Sequence, residues 1–310
     1  VLLEIVFGAG CFWGVEKNFK QIPGVLEVIS GYAGGDYDDP TYQQVLTNKD
    51  NSNITNHTEV VKVTYDTKLV SSEYLIKDFW ALHDPTQIDG QGNDKGNNYR
   101  SALYWTTDEQ RQIALKTKDE YQVLLNQNGF GRIITEIKVL DKFWPAEAYH
   151  QNYLTNNPNG YCPSHKTGVA FIIPADGELK QQEFYKALGK LKLDSVAFDI
   201  AFNQGTERQF CQKYDIFKET PKGVFVDKLS GAPLFDTRDR FNSHSGWLSF
   251  TKAIDGAIVE KSDNNHGMVR TEVLAKHTGI HLGHVFNDGP NGQRRFCINA
   301  TVLDFVADKK

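Results

Sequence analysis

The sequence predicts a two-domain α+β protein in which a two-layer α/β plait precedes a mainly antiparallel β domain. Three observations point there. The chain has 310 residues, too many for one average domain and enough for two, each with its own core. Up to Val139, β-rich runs alternate with segments of helical periodicity. From Gly223 onward, short β-like runs alternate with turn signals, and no long helical pattern occurs. A charged fraction of 24% is that of an ordinary globular protein, and a net charge of −5 gives no pull toward nucleic acid or an anionic membrane. No apolar run approaches the length that spans a bilayer, so a soluble protein is expected, in the cytoplasm by preference. The chain begins at Val1 without a methionine, and a trimmed N-terminus keeps the periplasm or secretion open.

Leu2 to Phe7 is a short apolar run, long enough for a buried strand and closed by Gly8-Ala9-Gly10. Phe12, Val15 and Phe19 recur at helical spacing until Ile22-Pro23-Gly24 stops the pattern. Val25 to Ser30 reads as a second strand, followed by a glycine-bearing turn. After a polar stretch, Glu59 to Tyr65 is a β-rich run carrying Val60, Val61 and Val63. Ser71 is placed to cap a helix with Leu75, Phe79 and Leu82, which Asp84-Pro85 ends. Residues 87–98 read as a loop and Tyr99 to Trp105 as a strand. Thr107 and Gln110 have capping-box spacing before a long helix that ends at Asn128-Gly129. Ile133 to Val139 closes the series. Strands and helices in alternation, with one hairpin-like pair, suggest a ferredoxin-like plait. A lysine- and glutamate-rich segment follows, with Phe184, Leu188 and Leu191 at helical spacing, and reads as a linker helix. The predicted divisions are residues 1–174, a linker at 175–194, and residues 195–310.

Four cysteines, Cys11, Cys162, Cys211 and Cys297, are too few and too scattered for a disulfide scaffold and form no Cys-x-x-Cys clip. Catalytic or redox use is the better default. Cys11 lies in Gly10-Cys11-Phe12-Trp13-Gly14, where a strand hands over to a helix. Unpaired N–H groups and the positive end of the helix dipole favour a thiolate there, and the flanking glycines let a ligand approach closely. A buried structural cysteine is the plain alternative. Other polar residues sit oddly for a bland core. Glu59 opens an apolar strand, Asp94 and Tyr99 bracket a glycine-bearing loop, and Tyr42 follows Pro40-Thr41. In the second half, alternation along Arg295-Phe296-Cys297-Ile298-Asn299 puts Arg295, Cys297 and Asn299 on one face, and an arginine beside a cysteine lowers the thiol pKa. His281-Leu282-Gly283-His284 carries two histidines that a bulge at Gly283 turns the same way.

Gly10 to Gly14, His57-Thr58-Glu59-Val60-Val61, Gln91-Gly92-Asn93-Asp94 with Tyr99-Arg100-Ser101-Ala102, and Ala148-Tyr149-His150-Gln151 closely resemble the A-type peptide methionine sulfoxide reductases, over Phe7 to Cys162. Ser243-His244-Ser245-Gly246-Trp247-Leu248-Ser249-Phe250, Arg270-Thr271-Glu272-Val273, His281 to Phe286 and Arg295 to Asn299 resemble the B-type enzymes, from about Phe198 to Phe305. The resemblance implies reduction of methionine sulfoxide, free or in proteins, through cysteine sulfenic acid and disulfide intermediates. The S epimer falls to the first domain and the R epimer to the second.

By the same resemblance Cys11 attacks as a low-pKa thiol. Glu59, beside apolar walls, stays protonated and serves as the acid. Tyr42 and Tyr99 hydrogen-bond the departing oxygen, Phe12 and Trp13 hold the methyl group, and Asp94 binds substrate. Cys162, in a stretch of little helix or strand tendency, is the resolving thiol that swings within disulfide range. In the second domain Cys297 is the implied nucleophile and Trp247 the methyl platform, with His281, His284, Arg295 and Asn299 binding the oxygen or tuning the thiol. Two departures matter. The zinc ligands of many relatives are replaced here by Asp227, Ser230, Ala275 and Thr278, so that metal site cannot form. Ser245 stands where a resolving cysteine is common, which makes Cys211 the candidate resolving thiol, with direct attack by an external reductant as the alternative. No bound cofactor is implied, and a thioredoxin-like protein is the expected reductant.

Three rivals are distinguishable. A thiol peroxidase or redox sensor also needs reactive cysteines, but not two aromatic-lined sites, and would consume peroxide without sulfoxide. A metal-binding scaffold built on His281 and His284 would hold stoichiometric metal through dialysis. A cysteine hydrolase is weaker, because His150 lacks a clear base-and-orienter arrangement with Cys11.

Overall fold

The first strand, β1 (Leu2–Gly8), is buried from Ile5 to Gly8 and lies inside a six-stranded sheet. A computed structural model describes residues 1–174 and 177–309 of the chain, which divides into two units between Ile172 and Ile173. In the first unit β1 is followed by α1 (Phe12–Lys20), β2 (Val25–Ala33), α2 (Tyr42–Thr47), β3 (Thr58–Asp66) and α3 (Ser72–Leu82). A short hairpin, β4 (Gly90–Gln91) and β5 (Asp94–Lys95), precedes β6 (Ala102–Trp105), α4 (Asp108–Gln127), β7 (Glu136–Val139), β8 (Phe143–Pro145) and α5 (Tyr153–Asn156). The sheet order is β7-β6-β1-β3-β2-β8. β1 runs antiparallel to β3 and β6, β2 antiparallel to β3, and β6 parallel to β7.

Phe7 fixes both early helices to β1. Its ring stacks on Phe19 of α1 at 4.8 Å and on Phe79 of α3 at 5.0 Å. All three are fully buried, and each such ring contributes roughly 1.5–3 kcal/mol. The consequence for the site is positional: α1 is anchored by Phe19, so its N-terminus projects where β1 ends. Ser71 accepts the N–H of Tyr74 at 3.1 Å, and Thr107 with Gln110 forms the full capping box on α4.

Two local expectations shift. The strand expected from Tyr99 begins at Ala102, because Asn97–Tyr99 closes into a 3-10 turn. The short helix α2 had no periodic signal; a capping box between Thr41 and Gln44 starts it.

In the second unit α6 (Glu178–Lys192), α7 (Ser195–Asn203) and α8 (Gln212–Phe217) lead into β strands. Residues 175 and 176, where the linker was expected to begin, lie outside the described residues. Phe184, Tyr185 and Leu188 of α6 are buried, and Tyr185 Oη lies 2.7 Å from His277 Nε2. Asp194 caps α7 by accepting the N–H of Ala197 at 2.8 Å, which decides for helix a stretch whose sequence is ambiguous. The strands are β9 (Gly223–Asp227), β10 (Pro233–Asp236), β11 (Arg240–Phe241), β12 (Leu248–Phe250), β13 (Ile258–Asp263), β14 (Arg270–Ala275), β15 (His281–Phe286), β16 (Arg295–Ile298) and β17 (Leu303–Ala307). They form two antiparallel sheets, β10-β9-β17 and β11-β12-β16-β15-β14-β13. Phe250 of the larger sheet meets Phe225 and Phe235 of the smaller at 5.5 and 4.7 Å, which locates the core between them. Among the described residues no helix is long and apolar enough to cross a membrane.

Candidate active sites

Gly10 takes φ +91°, a conformation that suits glycine, and the turn makes Cys11 the N-cap of α1. The N–H groups of Trp13 and Gly14 favour the thiolate, but burial of the sulfur outweighs them and the charge of Glu59 adds to burial, so the thiol pKa is raised. The sequence expectation of a low-pKa thiol is thus corrected: burial outweighs the helix end. Helix ends act over one turn, whereas desolvation acts on the whole pocket.

Glu59 on β3 is 1% exposed, and its Oε2 accepts the N–H of Phe12 at 3.2 Å. Burial pushes its pKa up to about 8. It therefore holds a proton at neutral pH, and its charge then no longer opposes a thiolate at Cys11. Tyr42 and Tyr99 are half-buried, and both couple electrostatically to Glu59 and Cys11. Burial raises both phenols, Tyr42 to about 12, so each is an O–H donor throughout the neutral range. Glu147 fixes this corner: its carboxylate accepts the N–H of Tyr42 at 2.8 Å and the hydroxyl of Tyr32 at 2.9 Å.

The aromatic wall has two layers. Trp13 stacks on Tyr153 at 3.8 Å and 13°, and its indole N–H donates to His150 Nδ1 at 3.1 Å. That bond requires the Nε2-protonated tautomer of His150, whose pKa burial lowers. Phe12 is only 1% exposed and packs behind, between His150 and Tyr32. Trp13, not Phe12, presents the accessible face.

Cys162 lies in a tail without regular structure and lines a cavity of about 240 Å³ together with Cys11, Val15 and His165. Asp94 on β5 faces this tail: Tyr161 Oη donates to its Oδ1 at 2.9 Å, and His165 Nε2 lies 3.2 Å from its Oδ2.

In the second unit Cys297 is paired across the sheet with Ser249 on one side and His284 on the other. Burial raises its thiol pKa, opposed by the Arg295 guanidinium and then by a hydrogen bond from Ser245. Arg295 is held by a bidentate pair to Asp288, both contacts 2.9 Å, over the Phe286 ring. The bulge falls one residue before Gly283: His281 faces Leu274 and Gly283 faces Val273, leaving Leu282 unpaired. The two histidine rings then lie 5.3 Å apart. A Cβ on Gly283 would collide with the carbonyl of Cys297.

Different carboxylates hold the two histidines. His281 Nδ1 is 2.7 Å from Glu272, and its buried Nε2 has no partner among the described residues. His284 Nε2 is 2.8 Å from Asp263. Asn299 departs from expectation. Its amide donates to the carbonyl of Leu282 and accepts the N–H of Glu207, both at 3.0 Å, so it braces the framework rather than facing open space. Trp247 is half-buried and donates to the Glu207 carbonyl at 3.2 Å. Glu207 itself escaped sequence reasoning. Its buried carboxylate accepts the N–H groups of Ala300 and Thr301, both at 2.8 Å, and only these long-range partners reveal it.

Cys211 is the N-cap of α8, its sulfur 3.5 Å from the N–H of Tyr214. The neighbouring Phe210 N–H donates to the carbonyl of Gly246 at 2.9 Å, which ties this segment to the Ser245–Trp247 turn, and Glu207 acts electrostatically on both Cys211 and Cys297. At the positions read as lost zinc ligands, Asp227 accepts the N–H groups of Leu229 and Ser230 and the hydroxyl of Thr278.

Two family models match the chain. One described as peptide methionine sulfoxide reductase covers residues 3–172, and one described as SelR domain covers residues 193–307. Over 98% of its length the chain is 35% identical to the peptide methionine sulfoxide reductase MsrA/MsrB of Vibrio cholerae serotype O1, covering 85% of that protein. Among solved structures, methionine sulfoxide reductase A of Corynebacterium diphtheriae is 41% identical, with 55% of this chain and 81% of that chain covered and a TM-score of 0.48. Mxr1 from Saccharomyces cerevisiae in reduced form is 35% identical, with 53% and 91% covered and a TM-score of 0.47.

Proposed function

The chain belongs to the peptide methionine sulfoxide reductases, an A-type and a B-type enzyme in one polypeptide, and on that premise we propose how its residues divide the work. It is a bifunctional oxidoreductase that returns methionine sulfoxide to methionine, one sulfoxide epimer per domain. Residues 1–174 act on the S epimer at Cys11, and residues 195–310 act on the R epimer at Cys297. The order β6-β1-β3-β2, with α1 and α3 between strands, supports reading the first domain as a ferredoxin-like plait widened by β7 and β8.

At the first site Trp13 receives the substrate methyl, and Tyr42 and Tyr99 donate to the sulfoxide oxygen. Glu59 gives its proton to that oxygen as the Cys11 sulfur attacks, and takes up the thiol proton in exchange. The S–O bond breaks, methionine leaves, and Cys11 holds the oxygen as a sulfenic acid. Cys162 condenses with it, forming the disulfide and water. Asp94, expected from the sequence to bind substrate, instead has both oxygens engaged by Tyr161 and His165 of the Cys162 tail. At the second site Cys297 attacks, Trp247 holds the methyl, and His281, its Nδ1 engaged by Glu272, presents Nε2 to the oxygen. His284 and Arg295 complete the polar wall, and Asn299 positions it. Cys211 resolves Cys297, since Ser245 cannot. A thioredoxin-like dithiol returns both disulfides to thiols by exchange, and no bound cofactor takes part.

The observation that carries this reading is the buried carboxyl of Glu59, its pKa raised by that burial, fixed to the residue beside Cys11. Peptide mapping by mass spectrometry after one turnover tests it. Cys11–Cys162 and Cys211–Cys297 bridges are expected, and oxidised cysteines without those bridges would refute the assignment of the resolving thiols.

A further inference from the structure

Cys162 is flanked by two residues that grip one carboxylate. Tyr161 Oη donates to Asp94 Oδ1 at 2.9 Å, and His165 Nε2 meets Asp94 Oδ2 at 3.2 Å. We propose that His165, with Tyr161, forms a clasp on Asp94 that positions Cys162 for closure on Cys11. The proposal rests on the reading of Cys162 as the resolving thiol.

The ring of His165 sits in a seat made by two glycines. A Cβ on Gly10, the residue before Cys11, would lie 3.3 Å from its Cδ2, and a Cβ on Gly92 would lie 3.2 Å from its Nδ1. A side chain at either position would press on the imidazole. Cys162 itself is held over α1, where a Cβ on Gly14 would meet its Sγ at 3.4 Å. Cys11, Cys162 and His165 line the same cavity.

The clasp acts on one step. Cys162 Sγ attacks the sulfenic sulfur of Cys11, the S–S bond forms as the S–O bond breaks, and the thiol proton leaves with the hydroxyl as water. A tail without helix or strand would otherwise sample many positions before that attack. Two contacts to one carboxyl side chain, one on each side of the thiol, confine it, and that confinement raises the effective concentration of the thiol at Cys11. His165 is a positioning residue, with no part in attack on the sulfoxide.

The test uses the full chain, without external reductant, mixed with the S epimer of a methionine sulfoxide peptide. Methionine release reports the first step. Loss of dimedone-trappable sulfenic acid, with appearance of the Cys11–Cys162 bridge, reports the second. In His165→Ala methionine release keeps its wild-type rate while bridge formation slows about tenfold or more, the size expected for one hydrogen bond to a charged group. His165→Gln, which keeps a donor for Asp94, restores bridge formation. Equal slowing of both steps, no slowing of the second, or a Gln variant as slow as Ala would each overturn the clasp. A wild-type enzyme that forms no Cys11–Cys162 bridge would instead remove the reading of Cys162 on which it rests.

Discussion

Glu59 Oε2 accepts the backbone N–H of Phe12 at 3.2 Å, so the carboxyl is fastened to the residue that follows Cys11. The same burial that raises the carboxyl raises the Cys11 thiol. Both groups therefore rest protonated, and the carboxyl can hand over its proton while the sulfur loses one.

Replacing Glu59 by Gln keeps shape and polarity but removes that proton exchange. Glu59→Gln should lower kcat for the S epimer by about 10²–10⁴-fold, the usual worth of a positioned acid–base group. Turnover of the R epimer should not change. Steady-state kinetics on the separated epimers checks both.

The raised carboxyl also links stability to pH. The native group titrates near 8 and the ordinary value is 4.5, so between them the folded chain keeps a proton that the unfolded chain releases. Stability of the first domain therefore falls as pH rises through that window. Glu59→Gln has no such titration, and thermal melts across the window should show its Tm advantage over the parent growing toward the alkaline end.

At Cys297 the guanidinium of Arg295 works against burial. Arg295→Ala should push the thiol higher still and slow its alkylation at neutral pH by about tenfold for each unit gained. Rates with an iodoacetamide reagent, read at Cys297 by mass spectrometry, measure this directly.

Burial lowers the pKa of His281, and the hydrogen bond its ring donates to Glu272 raises it. Glu272→Ala removes the raising partner and frees the ring. R-epimer kcat should drop about 10–100-fold, in line with loss of a hydrogen bond to a charged group. The pH at which that activity declines should move down. An unchanged profile would mean that His281 does not donate to the substrate.

What the sequence revealed was what neighbours in the chain decide. The strand-to-helix handover at Cys11, the cap at Ser71 and the box at Thr107 and Gln110 each depend on a few consecutive residues. What it hid depends on distant ones. Tyr42 is fixed by Glu147, 105 residues away, and Asn299 is engaged by Glu207, 92 residues away. The thiol of Cys11 shows the same division. The helix end that favours the thiolate is local and was legible, whereas the burial that overrides it comes from the assembled sheet and tail.

The most direct measurement is an assay of Cys11→Ser and Cys297→Ser on separated sulfoxide epimers with a thioredoxin system. Cys11→Ser should lose the S epimer and keep the R, and Cys297→Ser the reverse. Loss of both epimers in either variant, or of neither, would contradict two independent sulfur centres.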